Sequence, residues 1–162
     1  MDIIPATHLH ATGIADIWNH YIRASIATFN SAEKTPKDIA LMINVKMRDN
    51  CPFFVAVLDG NVVGFATYGP FRSGVGYARV AEHTIQLHKK AFGKGIGRAL
   101  MTQLEKFGKE HGLCSFFAGI SGENSDAVKF HTALGFEHVA DIPSVGWKFD
   151  RWHDLILMRK DL

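Results

Sequence analysis

The run Phe92-Gly93-Lys94-Gly95-Ile96-Gly97-Arg98-Ala99-Leu100 constrains this chain more than any other stretch, because three alternate glycines stand where a strand hands over to a helix. Upstream, Glu82-His83-Thr84-Ile85-Gln86-Leu87-His88 alternates with period two; downstream, Ile96, Leu100, Leu104 and Phe107 recur at helical spacing. Glycine lacks the Cβ that keeps a bulky anion off the backbone, and the first N–H groups of a helix have no partner of their own. A strand-to-helix turn of this composition is an anion site with the helix dipole aimed at the ligand. The ligand that suits it is a pyrophosphate.

Spacing separates the phosphate-binding loops from one another. A P-loop needs glycine, four residues, then Gly-Lys-Ser/Thr, and the Gly93-Lys94 pair has His88 at the first-glycine position and Gly95 where the hydroxyl belongs. A dinucleotide fingerprint fails as well. Its third glycine would fall on Leu100 counted from Gly95 and Gly97, or on Arg98 counted from Gly93 and Gly95.

With 162 residues, 47% hydrophobic and 21% charged, the chain can bury a core without a staple, and one domain over residues 1–162 is expected. The formal net charge is +2 and no like-charge run is long, which argues against a nucleic-acid groove or a membrane surface. Cys51 and Cys114 match no metal-ligand spacing and read as reduced thiols of a cytoplasmic protein. The nine histidines contain no His-x-x-x-His pair with an adjacent acid, so no metal is expected. No leader and no membrane-spanning run is expected either.

Asp2 to Pro5 suits a short strand, and Ile14, Ile17, Trp18, Tyr21 and Ile22 fall on one face of a helix. Thr35-Pro36-Lys37-Asp38 is a helix start, with Ile39, Met42 and Ile43 following. Phe53–Leu58 and Val62–Tyr68 form a hairpin across Asp59-Gly60-Asn61, and Tyr77–Leu87 adds a third antiparallel strand. After the glycine-loop helix come a strand over Cys114–Ile120, a helix over Ser125–Leu134 stopped by Gly135, and strands over Phe136–Ala140 and Asp154–Met158.

The loop resembles the acetyl-coenzyme A loop of the GNAT superfamily of N-acetyltransferases, Gln/Arg-x-x-Gly-x-Gly/Ala, departing from it at Phe92. Further words resemble the phosphinothricin acetyltransferase branch of that superfamily. They are Ile17-Trp18-Asn19-His20-Tyr21, Ala27-Thr28-Phe29, Tyr68-Gly69-Pro70-Phe71-Arg72, Glu82-His83-Thr84, Asn124, Phe130-His131-Thr132-Ala133-Leu134-Gly135-Phe136 and Trp152-His153-Asp154. Gly74 stands where that branch commonly carries a second arginine.

The resemblance implies an α/β chain of the α+β type, with the GNAT acyltransferase fold: a mixed central sheet of about seven strands with about four helices. It also implies acetyl-CoA as co-substrate and attack by the α-amine of a small amino-acid-like acceptor, of the phosphinothricin or methionine sulfoximine kind. In that scheme Gly93, Lys94, Gly95, Ile96, Gly97 and Arg98 hold the pyrophosphate, and the backbone of Ile85, Gln86 and Leu87 pairs with pantetheine. Asn124 either holds the pantetheine arm or caps its helix. Phe29, Arg72 and Tyr77 form the acceptor pocket, the arginine and phenol binding a carboxylate.

Acetyl transfer to an amine needs a base, because an α-amino group with a pKa near ~8 is about 90% protonated at neutral pH. Glu82, inside an otherwise neutral strand, is the candidate base, and His131 the candidate for moving a proton to or from the leaving thiolate. Two alternatives are an acetyltransferase of another small amine and a non-catalytic acyl-CoA binding or sensing module. The second has no need for Glu82 and His131. Trp147, Phe149 and Trp152 suit either core or the contact of a homodimer.

Overall fold

The computed structural model describes residues 1–162. Its strands are β1 (Asp2–Pro5), β2 (Phe53–Leu58), β3 (Asn61–Pro70), β4 (Val80–Leu87), β5 (Ser115–Ser121), β6 (Glu137–Lys148) and β7 (Arg151–Asp161). They form one seven-stranded sheet in the order β1-β2-β3-β4-β5-β7-β6, in which only β4 and β5 run parallel. Four helices, α1 (Ala11–Ala24), α2 (Pro36–Arg48), α3 (Ile96–Glu110) and α4 (Ser125–Ala133), cover its two faces. This is the expected architecture. No helix is long and apolar enough to cross a membrane, and both cysteines are free.

Each helix buries the stripe that its sequence encodes. Ile14, Ile17, Trp18 and Ile22 of α1 join Ile39 and Ile43 of α2 over Val55 and Phe65 on one face. Ile96, Leu100, Met101 and Leu104 of α3 pack with Ala81, Phe116 and Met158 on the other. At α2, the Thr35 hydroxyl accepts from the Asp38 N–H at 3.1 Å and the Asp38 carboxylate from the Thr35 N–H at 2.8 Å, which satisfies two free donors of the first turn. The β2–β3 turn has both central residues left-handed, Asp59 at φ 50° and Gly60 at φ 76°, the twist that a two-residue hairpin favours.

Strand alternation divides β4 between the two faces. Gln86 and Thr84 lie beside Phe65 and Thr67 of β3, so Glu82, Thr84 and Gln86 face α1. Ala81, His83, Ile85 and Leu87 face α3 and α4. The parallel pairing of β4 with β5 spans only Val80–Ser115, Ala81–Phe116 and Glu82–Phe117. Beyond Glu82 the strands part. The His88 N–H donates to the Val63 carbonyl at 2.9 Å, so the backbone of 84 and 86 also turns toward β3 while that of 85 and 87 turns into the gap.

Three boundaries differ from the sequence pattern. Tyr77 lies outside β4, in a 3₁₀ turn over Val75–Tyr77 that follows Gly74 at φ 108°. β6 and β7 are far longer than the pattern implies because their turn is Phe149-Asp150, two non-glycine residues at φ 54° and 56°. Within β6 the register shifts between Ile142 and Gly146, where the three residues Pro143, Ser144 and Val145 stand opposite Asp154 alone, and this breaks the period-two signal. Pro143 is tolerated there because β6 is an edge strand. Trp147, Phe149 and Trp152 are exposed on this hairpin, so the core alternative for them is wrong.

Candidate active site

The parting of β4 and β5 opens a cleft of about 1110 Å³, bounded by the N-termini of α3 and α4. Gly93 and Gly95 enter it at φ 71° and 73°, and a Cβ at either would meet no protein atom within 4 Å. Backbone conformation rather than packing is therefore what requires glycine at these two positions. Gly97 differs: a Cβ there would stand 3.0 Å from the Phe130 ring and 3.2 Å from Leu87. It is a packing glycine that lets α4 and β4 close on α3.

Gly95 caps α3 without a side-chain acceptor. The Ala99 N–H is the first to find a helical partner, the Gly95 carbonyl at 3.0 Å. The amides of Ile96, Gly97 and Arg98 are left free beside the cleft. Arg98 also lines it, but one guanidinium N–H donates to the Ala133 carbonyl at 3.0 Å and ties α3 to the end of α4. Lys94 is exposed and does not line the cleft. Phe92 lines it with a ring 58% exposed, where the family pattern has a polar side chain.

Along β4, Ile85, Gln86 and Leu87 border the gap. The Tyr21 hydroxyl donates to the Leu87 carbonyl at 2.7 Å, so the free peptide groups on this edge are those of Ile85 and the Leu87 N–H. Gln86 Oε1 and Ser121 Oγ are buried in the cleft wall without a protein partner. Asn124 does one expected task visibly, its Oδ1 accepting from the Ala127 N–H at 3.1 Å to cap α4. Its Nδ2 remains to donate.

Glu82 reaches the cleft from the α1 face, half-buried and with no hydrogen-bonding protein partner. Burial raises its carboxyl above the ordinary glutamate value. His131 reaches the cleft from the opposite face, 5% exposed. Its Nδ1–H donates to the Ala127 carbonyl at 2.7 Å, and its Nε2 lies 2.9 Å from His83 Nε2. Because Nδ1 carries the proton of the neutral ring, Nε2 accepts, and His83 is the donor. Burial, then the neighbouring His131, pushes His83 well below the ordinary histidine value. Burial lowers His131 too, opposed by its bond to Ala127.

Phe29 lines the cleft on the Glu82 side. Arg72 and Tyr77 do not: they sit on the exposed β3–β4 connection, the guanidinium 5.8 Å from the phenol ring. His83 and Gly119 belong to the site and were not assigned to it from sequence. Alternation could have put His83 on the face opposite Glu82, but its pairing with His131 bridges 48 residues and leaves no local signal.

Residues 14–136 match the Acetyltransferase (GNAT) family. The chain belongs to this family. It is an acyltransferase, and its relatives are close to full-length matches. It is 32% identical to the L-amino acid N-acyltransferase MnaT of Escherichia coli, covering 100% of this chain and 94% of the relative. Identity is 31% to an L-methionine sulfoximine/L-methionine sulfone acetyltransferase of Salmonella typhimurium, covering 100% and 95%. The crystal structure of a phosphinothricin acetyltransferase from Sinorhizobium meliloti in complex with acetyl-CoA superposes with a TM-score of 0.93 at 28% identity, over 99% of this chain and 88% of that one.

Proposed function

We propose that this protein transfers the acetyl group of acetyl-CoA to the α-amine of a small amino-acid-like acceptor, of the methionine sulfoximine or phosphinothricin kind. The observation that carries this function is Glu82, a carboxylate without a protein partner at the point where β4 and β5 part. The free amides at the start of α3 receive the pyrophosphate, and the free peptide groups of Ile85 and Leu87 receive the pantetheine arm. The thioester then lies beside Glu82, with Phe29 enclosing the acceptor.

Glu82, directly or through a water, takes one proton from the acceptor ammonium. At neutral pH that protonation alone costs about 1.4 kcal/mol of barrier for an amine of pKa ~8. The neutral amine attacks the thioester carbonyl, the C–N bond forms, and loss of a second proton accompanies collapse of the tetrahedral intermediate. The C–S bond breaks and the thiolate leaves. His131 Nε2 carries no proton of its own, so it serves the thiolate only by first accepting the second proton lost from the intermediate, at the expense of the His83 bond, and then passing that proton to sulfur.

The test is a thiol-release screen of the purified protein over L-amino acids, methionine sulfoximine, phosphinothricin, simple amines and peptides. Release with an α-amino acid or its analogue, and N-acetylated product by mass spectrometry, is expected. Release with simple amines or peptides alone, and with no α-amino acid or analogue, would instead overturn the acceptor assignment.

A further inference from the structure

The acceptor side of the cleft is walled by a segment that the far edge of the sheet holds down. After α1 the chain runs without helix or strand from Ser25 to Thr35, and Phe29 lies in this stretch. The Phe29 ring covers Gly146 of β6 so closely that a Cβ there would stand 2.2 Å from it. Gly146 pairs with His153 of β7, and Phe29 stacks on that imidazole at 5.6 Å between centroids and 22° between planes. The buried His153 ring is itself fixed at both nitrogens, 2.9 Å from the Lys148 carbonyl and 2.9 Å from Glu123 Oε1. Arg151 grips the same Glu123 carboxylate at 2.6 and 3.0 Å.

Lys148 completes the arrangement. It is 4% exposed and reaches from the hairpin to the end of α1, where its ammonium donates to the carbonyls of Tyr21, Ser25 and Thr28. Three protons meet three acceptors, and two of those carbonyls belong to the helix terminus that favours a cation. No carboxylate pairs with it. A buried, unpaired ammonium is costly unless its hydrogen bonds are complete, and here they are complete only while residues 25–28 keep their present course.

We propose that Gly146, Lys148 and His153 are positioning residues that fix Phe29 over the Glu82 side of the cleft and thereby set the length of acceptor side chain that the site takes. Gly146 sets how deep the ring sits. Lys148 sets where its segment runs. This rests on the acceptor assigned under the proposed function.

Two measurements test it. The first compares kcat/KM for straight-chain L-amino acids from alanine to norleucine in the wild type, Gly146→Ala, Phe29→Leu and the double variant. Gly146→Ala displaces the ring and is expected to change the ratio between long and short acceptors roughly tenfold, with the KM for acetyl-CoA unchanged; Phe29→Leu in the same chain restores most of that ratio. An unchanged ratio, or a double variant that shows only the sum of the single effects, overturns the proposal. The second measurement is hydrogen exchange of peptides spanning residues 25–30, expected to quicken roughly tenfold or more in Lys148→Met while β2 and β3 stay protected. Unchanged exchange also overturns the proposal. A wild type that acetylates neither these acids nor methionine sulfoximine and phosphinothricin overturns the acceptor assignment, and with it the length-setting role; exchange then decides the holding of Phe29 by itself.

Discussion

The carboxylate of Glu82 lies in the space above Gly119: a Cβ on Gly119 would stand 2.6 Å from Glu82 Oε1. The position of the candidate base thus depends on a missing side chain in the neighbouring parallel strand. Gly119→Ala forces the carboxylate aside without touching the coenzyme loop. The expected result is a fall in kcat of roughly 10²-fold, since small misplacements of a catalytic group have effects of that order, with acetyl-CoA affinity by calorimetry unchanged.

Glu82→Gln keeps the shape and loses the proton acceptor, so kcat should fall roughly 10²–10⁴-fold, with partial recovery at high pH where solvent delivers neutral amine. Stability should move the other way. Burial raises the folded-state value of Glu82 above the ordinary 4.5. Below that pH both states hold the proton and no penalty exists; as pH rises through the interval up to the folded value, the unfolded chain ionises first and the fold loses stability. Glu82→Gln should therefore match the wild type in thermal melts at acidic pH and melt higher at neutral pH. Equal midpoints at both would mean that the carboxylate is solvated.

The glycines of the loop should separate into two classes. Gly95→Ala places a side chain at φ 73°, a left-handed conformation that costs about 1–2 kcal/mol, and puts its methyl in the open space proposed to receive the pyrophosphate. Coenzyme binding by calorimetry should be lost with the fold retained. Gly97→Ala has an ordinary φ but must push Phe130 and Leu87 away, so a stability loss of about 1–3 kcal/mol in denaturant titration is expected. Equal stability losses in the two variants would contradict the division.

Much of this was legible locally. The loop, the capping box at Thr35, the hairpin at Asp59-Gly60 and the strand position of Glu82 are each encoded within a few residues. The β6–β7 hairpin was not, because its turn uses left-handed Phe149 and Asp150 rather than glycine and its bulge breaks the alternation. The remote partners were hidden for a different reason. Lys148 with Thr28 and His83 with His131 lie 120 and 48 residues apart, and nothing in either segment alone names the other. Arg72 and Tyr77 had the right chemistry for a carboxylate, yet the turn after Gly74 leaves them outside the cleft.

The His83–His131 bond separates packing from proton transfer. His131→Leu leaves the His83 Nε2–H buried without an acceptor, and His83→Leu leaves His131 Nε2 without a donor, each at a cost of about 1–3 kcal/mol. Removing both rings should cost less than the sum, measured by denaturant titration. Both histidines have folded values depressed below the ordinary 6.5. Their contribution is full above that pH and declines as pH falls toward the folded values, because the unfolded chain binds protons that the buried pair refuses. The double variant should lack that decline. If His131 Nε2 takes the second proton from the intermediate and passes it to the thiolate, His131→Leu lowers kcat by roughly 10²-fold, while His83→Leu frees that nitrogen and costs less than about tenfold. This is the expected outcome, and equal losses in the two single variants would leave His131 with a packing role alone.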